Sequence, residues 1–173
     1  MSKVLYEEID DEAIERIQKR VEMDSRALMR VVNEIIGPYC KDLDEYVSFI
    51  KDCLKDGERP PTNDELDDFC MNLSTLIYFA GGMCEQLGIK DDISKAIYKE
   101  VYNSERDRGQ GTVADKDSLA ELASQQELLT NVCYNRAYKI MKSKVDNAQE
   151  LLGSVKKVLS RRMTEMELTR ISK

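Results

Sequence analysis

The chain reads as an all-α protein, a helical bundle with a long C-terminal helix or helical hairpin. Three observations predict this class. Helix formers (Leu, Ala, Glu, Lys, Gln, Met, Arg) dominate a composition with no tryptophan, 6 % aromatic and 34 % charged residues. Apolar residues recur at steps of three and four between the glycines and prolines. The last third, Ser118 to about Arg170, has no proline and only Gly153 to interrupt it. A chain of 173 residues is long enough for one domain with a real core, or for a small domain with a helical arm. Composition divides it into an acidic helical region, residues 1–61, and a helical core with a long basic C-terminal helix, residues 62–173.

The first helical block starts near Asp10 or Asp11, where acids suit a helix N-terminus, and should break or kink at Gly37-Pro38. A second piece, Tyr39 to Lys55, places Leu43, Tyr46, Val47, Ile50 and Leu54 on one face and stops at Asp56-Gly57. After the loop at Pro60-Pro61, Thr62 and Glu65 have capping-box spacing and predict a helix start. The helix that follows, with Leu66, Phe69, Cys70, Leu73, Leu76, Ile77 and Ala80, is the most apolar in the chain and is expected at the buried centre. Gly88 is expected to end it and Asp91-Asp92 to start another, reaching about Arg106. Glu105–Ser118 combines two glycines with dense charge and reads as a mobile loop, after which Ser118 and Glu121 offer a capping box for the long helix.

That helix would be about 75 Å long at ~1.5 Å per residue, more than a compact domain of this size covers. Met141, Val145, Ala148, Leu152, Val155, Leu159 and Met166 form a heptad seam along it, slipping by one residue at Met163. A seam needs a covering helix. The expectation is a homo-oligomer whose contacts include Met141, Val145, Leu152, Val155, Leu159 and Met166.

Charge is distributed unevenly. The chain carries −7, yet residues 131–173 hold ten Lys and Arg against four acids, leaving −13 on residues 1–130. A basic helical tail on an acidic body suits a polyanionic partner, or self-association between parts of opposite sign. Arg136, Lys139, Lys142, Lys156, Lys157, Arg161 and Arg162 are the candidate nucleic-acid contacts, since cations neutralise phosphates without reading sequence. Helical projection groups Arg136, Lys139, Lys157 and Arg161 opposite the seam. An ordinary solvated face is the competing reading, because Asp146 and Glu150 project onto the same side and Lys142–Asp146 and Arg161–Glu165 have i,i+4 spacing. Tyr134 and Tyr138 are interleaved with cations as in a single-strand stacking platform, but project onto or beside the seam, which favours packing.

Other chemistry finds little support. There is no histidine, which removes the commonest general base and transition-metal ligand. Five scattered cysteines without a C-x-x-C pair read as reduced core thiols of a cytosolic protein. The acidic clusters lie at expected helix starts, where capping accounts for them better than a metal does. Gly81-Gly82 lacks the context of a phosphate loop and suggests close helix packing or a kink. No nucleophile has a recognisable base partner, so the expectation is a protein without enzymatic activity, catalytic residue or cofactor. The N-terminus shows no signal peptide, and the longest apolar-rich stretch, Leu73 to Met83, is too short to span a bilayer. A cytoplasmic location follows as an expectation, in the host cytoplasm if the protein is phage-encoded.

The segments NLSTLIYFAGGMCEQLG and YNRAYKIMKSKVDNAQELLGSVKKVLSRRMTEM, within Asn72 to Arg170, resemble phage recombination mediators of the UvsY-like type: a short apolar helix, a charged loop, then a long helix rich in Lys, Ala and Leu. The resemblance implies a homo-oligomeric accessory protein that binds single-stranded DNA and loads a recombinase onto strands coated with single-strand-binding protein. It would place DNA contact on Lys139, Lys142, Lys156, Lys157, Arg161 and Arg162. The acidic net charge and the extra N-terminal block of about sixty residues depart from that pattern. They leave open a structural or scaffolding oligomer with no nucleic-acid role, or a small regulator whose acidic block captures a basic partner protein.

Overall fold

Thr62 accepts from the backbone N–H of Glu65 at 3.2 Å while Glu65 accepts from the Thr62 N–H at 2.7 Å, closing the capping box expected from sequence. From this box the polypeptide, described by a computed structural model for residues 11–171 except 56 and 58, runs as one unbroken helix to Arg108. The described residues form four helices and no strand: α1 (Asp11–Lys55), α2 (Asn63–Arg108), α3 (Val113–Ala123) and α4 (Gln125–Ile171). The fold is all-α with a long C-terminal helix. Three of the helices have 45, 46 and 47 residues, each about 70 Å long at ~1.5 Å per residue.

Contacts between helices set their directions. Phe49 meets Phe69 edge-on at 5.9 Å, and the Lys90 Nζ donates to the Tyr39 hydroxyl at 2.9 Å, so α1 and α2 are antiparallel. Asn63 lies against Met166, and Asn131 against Asp91, so α2 and α4 are antiparallel as well. α1 therefore runs parallel to α4, and Lys144 on α4 reaches Asp44 on α1 with both oxygens within 2.7 Å.

The core lies between these three helices. Val32, Ile36, Cys40, Leu43 and Ile50 come from α1, Leu66, Phe69, Cys70, Leu73, Ala80, Cys84 and Leu87 from α2, and Ala137, Met141, Val145, Ala148 and Val155 from α4. Many are small, which lets long helices approach closely over several turns. The apolar centre expected on α2 holds for Leu66, Phe69, Cys70, Leu73 and Ala80, with Leu76 and Ile77 half-buried; Tyr78 and Phe79 of the same run face solvent.

Four sequence expectations are corrected. The chain does not break at Gly37-Pro38: α1 passes through Pro38, losing one backbone hydrogen bond, because Ile36 and Cys40 on either side are held in the core. Gly88 does not end a helix, nor does Asp91-Asp92 start one. A Cβ at Gly88 would lie 3.3 Å from the Tyr138 ring, so the glycine makes room for α4, and the Asp91 carboxylate accepts from Asn135 at 2.9 Å and from Asn131 at 3.3 Å. The Gly81-Gly82 pair does not mark close packing, since nothing lies within 4 Å of a Cβ at either position, and α2 continues through it.

The fourth concerns the start of the long C-terminal run and the loop before it; the run itself, read as one helix or a pair broken once, is a pair. α3 ends at Ser124, fully buried, whose hydroxyl donates to the Ala120 carbonyl at 2.7 Å. α3 opens not at Ser118 but at Thr112, which forms a capping box with Asp115. Only residues 109–112 separate α2 from α3, with Gly111 at φ 106, a conformation other residues rarely adopt. The expected loop between Glu105 and Ser118 is therefore mostly helix, pinned by a 2.6 Å ion pair between Arg106 and Asp117. α4 then continues unbroken past Gly153.

Candidate nucleic-acid interface

α4 presents two faces. Its seam turns inward: Met141, Val145, Ala148 and Val155 are buried, and Leu152 and Leu159 are half-buried against α1 and α2. The seam is thus covered within one chain as far as Leu159, and Met163 and Met166 beyond it are about half exposed, at 49 % each.

The opposite face carries the cations. Arg136, Lys139, Lys157 and Arg161 are exposed there, as the helical projection required, and Lys142 and Lys156 are exposed beside them. Arg136, Lys139, Lys142, Lys156 and Lys157 make no ion pair with any described residue. From Arg136 to Lys157 the row extends about 32 Å along the helix axis. Lys142 and Lys156 stand on the flank nearest α2, where their charges act against the burial that raises the thiols of Cys84 and Cys70.

Three of the tail's basic residues are engaged otherwise. Arg162 is half-buried and donates to the Pro61 carbonyl, tying the end of α4 to the loop that opens α2. Arg161 pairs with Glu165 at 2.9 Å on its own helix. Lys144 is held by Asp44. Lys173, counted in the tail's charge, lies outside the described residues. Tyr138 packs against the core and Tyr134 is half-buried, so neither ring stands free on the basic face.

No family model, curated protein or solved structure matches the chain. The functional reading therefore rests on these side chains alone.

Sequence reasoning missed a polar cluster between α2 and α4. Asn131 donates to the Ser94 hydroxyl at 3.0 Å as well as to Asp91, and Ser94 is itself buried. Asn131 and Asn135, one turn apart on the helix opposite an acid, were the available signal; reading Asp91 as a cap concealed it. Beside this cluster a groove of about 410 Å³ is lined by Ile93 and Ile97 of α2 and Glu127, Thr130 and Tyr134 of α4. Among the described residues no three acids or cysteines gather as a metal site would require, and no helix is long and apolar enough to cross a membrane.

Proposed function

We propose that the protein is a self-associating, non-enzymatic accessory factor that holds single-stranded nucleic acid through the outer face of α4, in the manner of a recombination or replication mediator that assists a recombinase. The observation that supports this reading is the row of exposed cations, Arg136, Lys139, Lys142, Lys156 and Lys157, without acidic partners on a helix whose opposite face is anchored in the core. Such a row is rigid, sequence-blind and matched to a phosphate backbone. With no aromatic ring standing free among these cations, the affinity is electrostatic more than stacking.

The test is titration of an oligonucleotide over a range of salt. Affinity should be insensitive to base sequence and fall steeply with salt, with a log–log slope of ~0.7 for each phosphate contacted on a single strand. Replacing Arg136, Lys139, Lys156 and Lys157 by Gln should flatten that slope while leaving helicity unchanged. The acidic body opposes binding, so the effect is clearest at low ionic strength. Absence of binding by the parent near 50 mM salt, or an unchanged slope in the quadruple variant, rules the reading out.

A second reading, a helical scaffold without nucleic acid, is favoured by the exposed apolar residues of α1, among them Ile17, Val21 and Met23. The same titration separates the two.

A further inference from the structure

The packed part of α1 begins at Leu28; every residue from 14 to 27 is exposed. This arm is nevertheless patterned to be covered. Ile14, Ile17, Val21 and Leu28 form a stripe that continues into the buried Val32, Ile36, Cys40 and Leu43 of the same helix. Ile17 and Val21 are each 61 % exposed. A helical segment this short is marginal in water on its own, and a stripe of this kind is the mark of a face meant for a partner.

The body offers a matching surface. Lys90, at one end of the groove between α2 and α4, holds Tyr39 of α1 by a 2.9 Å hydrogen bond. Along the rest of the groove Ile93 and Ile97, one turn apart, remain 53 % and 47 % exposed. Within it, Glu127 Oε2 is shut off from solvent without a hydrogen-bond donor among the described residues. A carboxylate with one oxygen desolvated and without a donor is unfavourable, and a cation beside its accessible part offsets that charge, so an occupant that suits this groove brings both an apolar stripe and a cation.

The arm brings both. Residues 14–27 carry four bases, Arg16, Lys19, Arg20 and Arg26, against three acids, whereas residues 62–134, which include the groove, carry fourteen acids against six bases. Within one chain α1 runs unbroken from Asp11 to Lys55 and leaves both arm and groove uncovered.

We propose that the groove between α2 and α4 receives the arm of a second copy of this chain, residues 14–27, while that copy's groove receives the first arm. The exchange is two-fold symmetric, so each favourable contact is made twice. Ile17 and Val21, one turn apart, lie along Ile93 and Ile97, and a basic side chain of the arm donates to Glu127. The inference concerns the self-association half of the proposed function and stands without its nucleic-acid half.

Two variants test it in analytical ultracentrifugation at tens of micromolar without DNA. One carries Ile17→Asp and Val21→Asp in the arm, the other Ile93→Asp and Ile97→Asp in the groove; all four side chains are already exposed, so each chain should keep the parent's circular dichroism. The parent should be a dimer and each variant a monomer. An equimolar mixture should recover a heterodimer, weaker than the parent, because the arm of the groove variant still fits the intact groove of the arm variant. Glu127→Gln should weaken the parent dimer about tenfold and reduce its salt dependence. A monomeric parent, a variant that stays dimeric, or a mixture that stays monomeric overturns the proposal; so does a monomer whose arm amides resist hydrogen exchange, which would mean that the arm folds onto its own groove. Oligonucleotide titration of the same variants keeps the two readings apart. A dimeric parent whose variants are monomers but which ignores DNA removes the nucleic-acid half of the proposed function alone, and a monomeric parent that binds DNA removes this inference, with the self-association it rests on, and leaves the nucleic-acid half standing.

Discussion

Replacing Gly81, Gly82 and Gly153 by alanine should raise stability. All three sit inside long helices, and nothing lies within 4 Å of a Cβ built at any of them, so the added methyl meets no obstacle. Glycine in a helix interior costs about 1 kcal/mol relative to alanine, largely through the freedom that the unfolded chain retains. Gly153 is on a different helix from the other two, so its effect should add to theirs, giving about 3 kcal/mol for the triple variant. In a chain of this length each kcal/mol raises Tm by roughly 2–4 °C, which places the triple variant about 6–12 °C above the parent. Gly88→Ala is the internal control: its methyl would approach the Tyr138 ring at 3.3 Å, so its gain should fall clearly short of Gly153→Ala. Thermal and urea unfolding followed by circular dichroism measure all of these. A triple variant no more stable than the parent, or a Gly88→Ala gain equal to that of Gly153→Ala, would refute the argument. Gly37 is left out of the set although its Cβ space is also open, because a side chain before Pro38 strains the helical conformation.

Three further outcomes follow from the same structure. Leu73→Ala or Met141→Ala, each removing a fully buried side chain, should cost about 2–5 kcal/mol in urea unfolding; a loss below 1 kcal/mol would mean that the core is misplaced. Glu65 is held below its ordinary value of 4.5 first by the Thr62 backbone N–H, and Asp115 below its ordinary 3.8 first by the Thr112 hydroxyl. Because both folded values are depressed, their stabilisation is complete above the ordinary values and is lost as pH falls through the folded ones. The urea midpoint should therefore drop on acidification below about pH 4.5, and less so in a Glu65→Gln, Asp115→Asn variant. Finally, burial pushes up the thiols of Cys40, Cys70 and Cys84, and a thiol reagent near neutral pH should modify these three only as fast as the protein unfolds, after the half-buried Cys53 and Cys133.

What sequence could reveal depended on how local the cause was. The Thr62–Glu65 box was legible because both partners lie within four residues, and the inward set of Met141, Val145, Ala148 and Val155 was legible because helical periodicity alone orients it. Pro38, Gly88 and Asp91 misled because each is a local breaker or cap whose role is set by a neighbouring helix: the core around Ile36 and Cys40, the ring of Tyr138, the amides of Asn131 and Asn135. The Ser118 box lost to one six residues earlier, at Thr112, where an aspartate rather than a glutamate closes the pair. Within the candidate interface, exposure of Arg136, Lys139 and Lys157 followed from projection. The attachment of Arg162 to Pro61 did not, since its partner lies 101 residues away.

The parallel placement of α1 beside α4 bears on how the protein is made. Asp44 finds Lys144 only after another 100 residues of chain have been added. At ~5–20 residues per second of synthesis, that is a delay of roughly 5–20 s. During it the nascent α1 can lie against the emerging α2, but the part of its apolar stripe that awaits α4 stays open to the crowded space around the ribosome. Slower translation between α2 and α4 would lengthen that exposure, so the yield of folded protein should depend on how quickly codons 109 to 144 are read, with chaperone capture greatest just before α4 arrives.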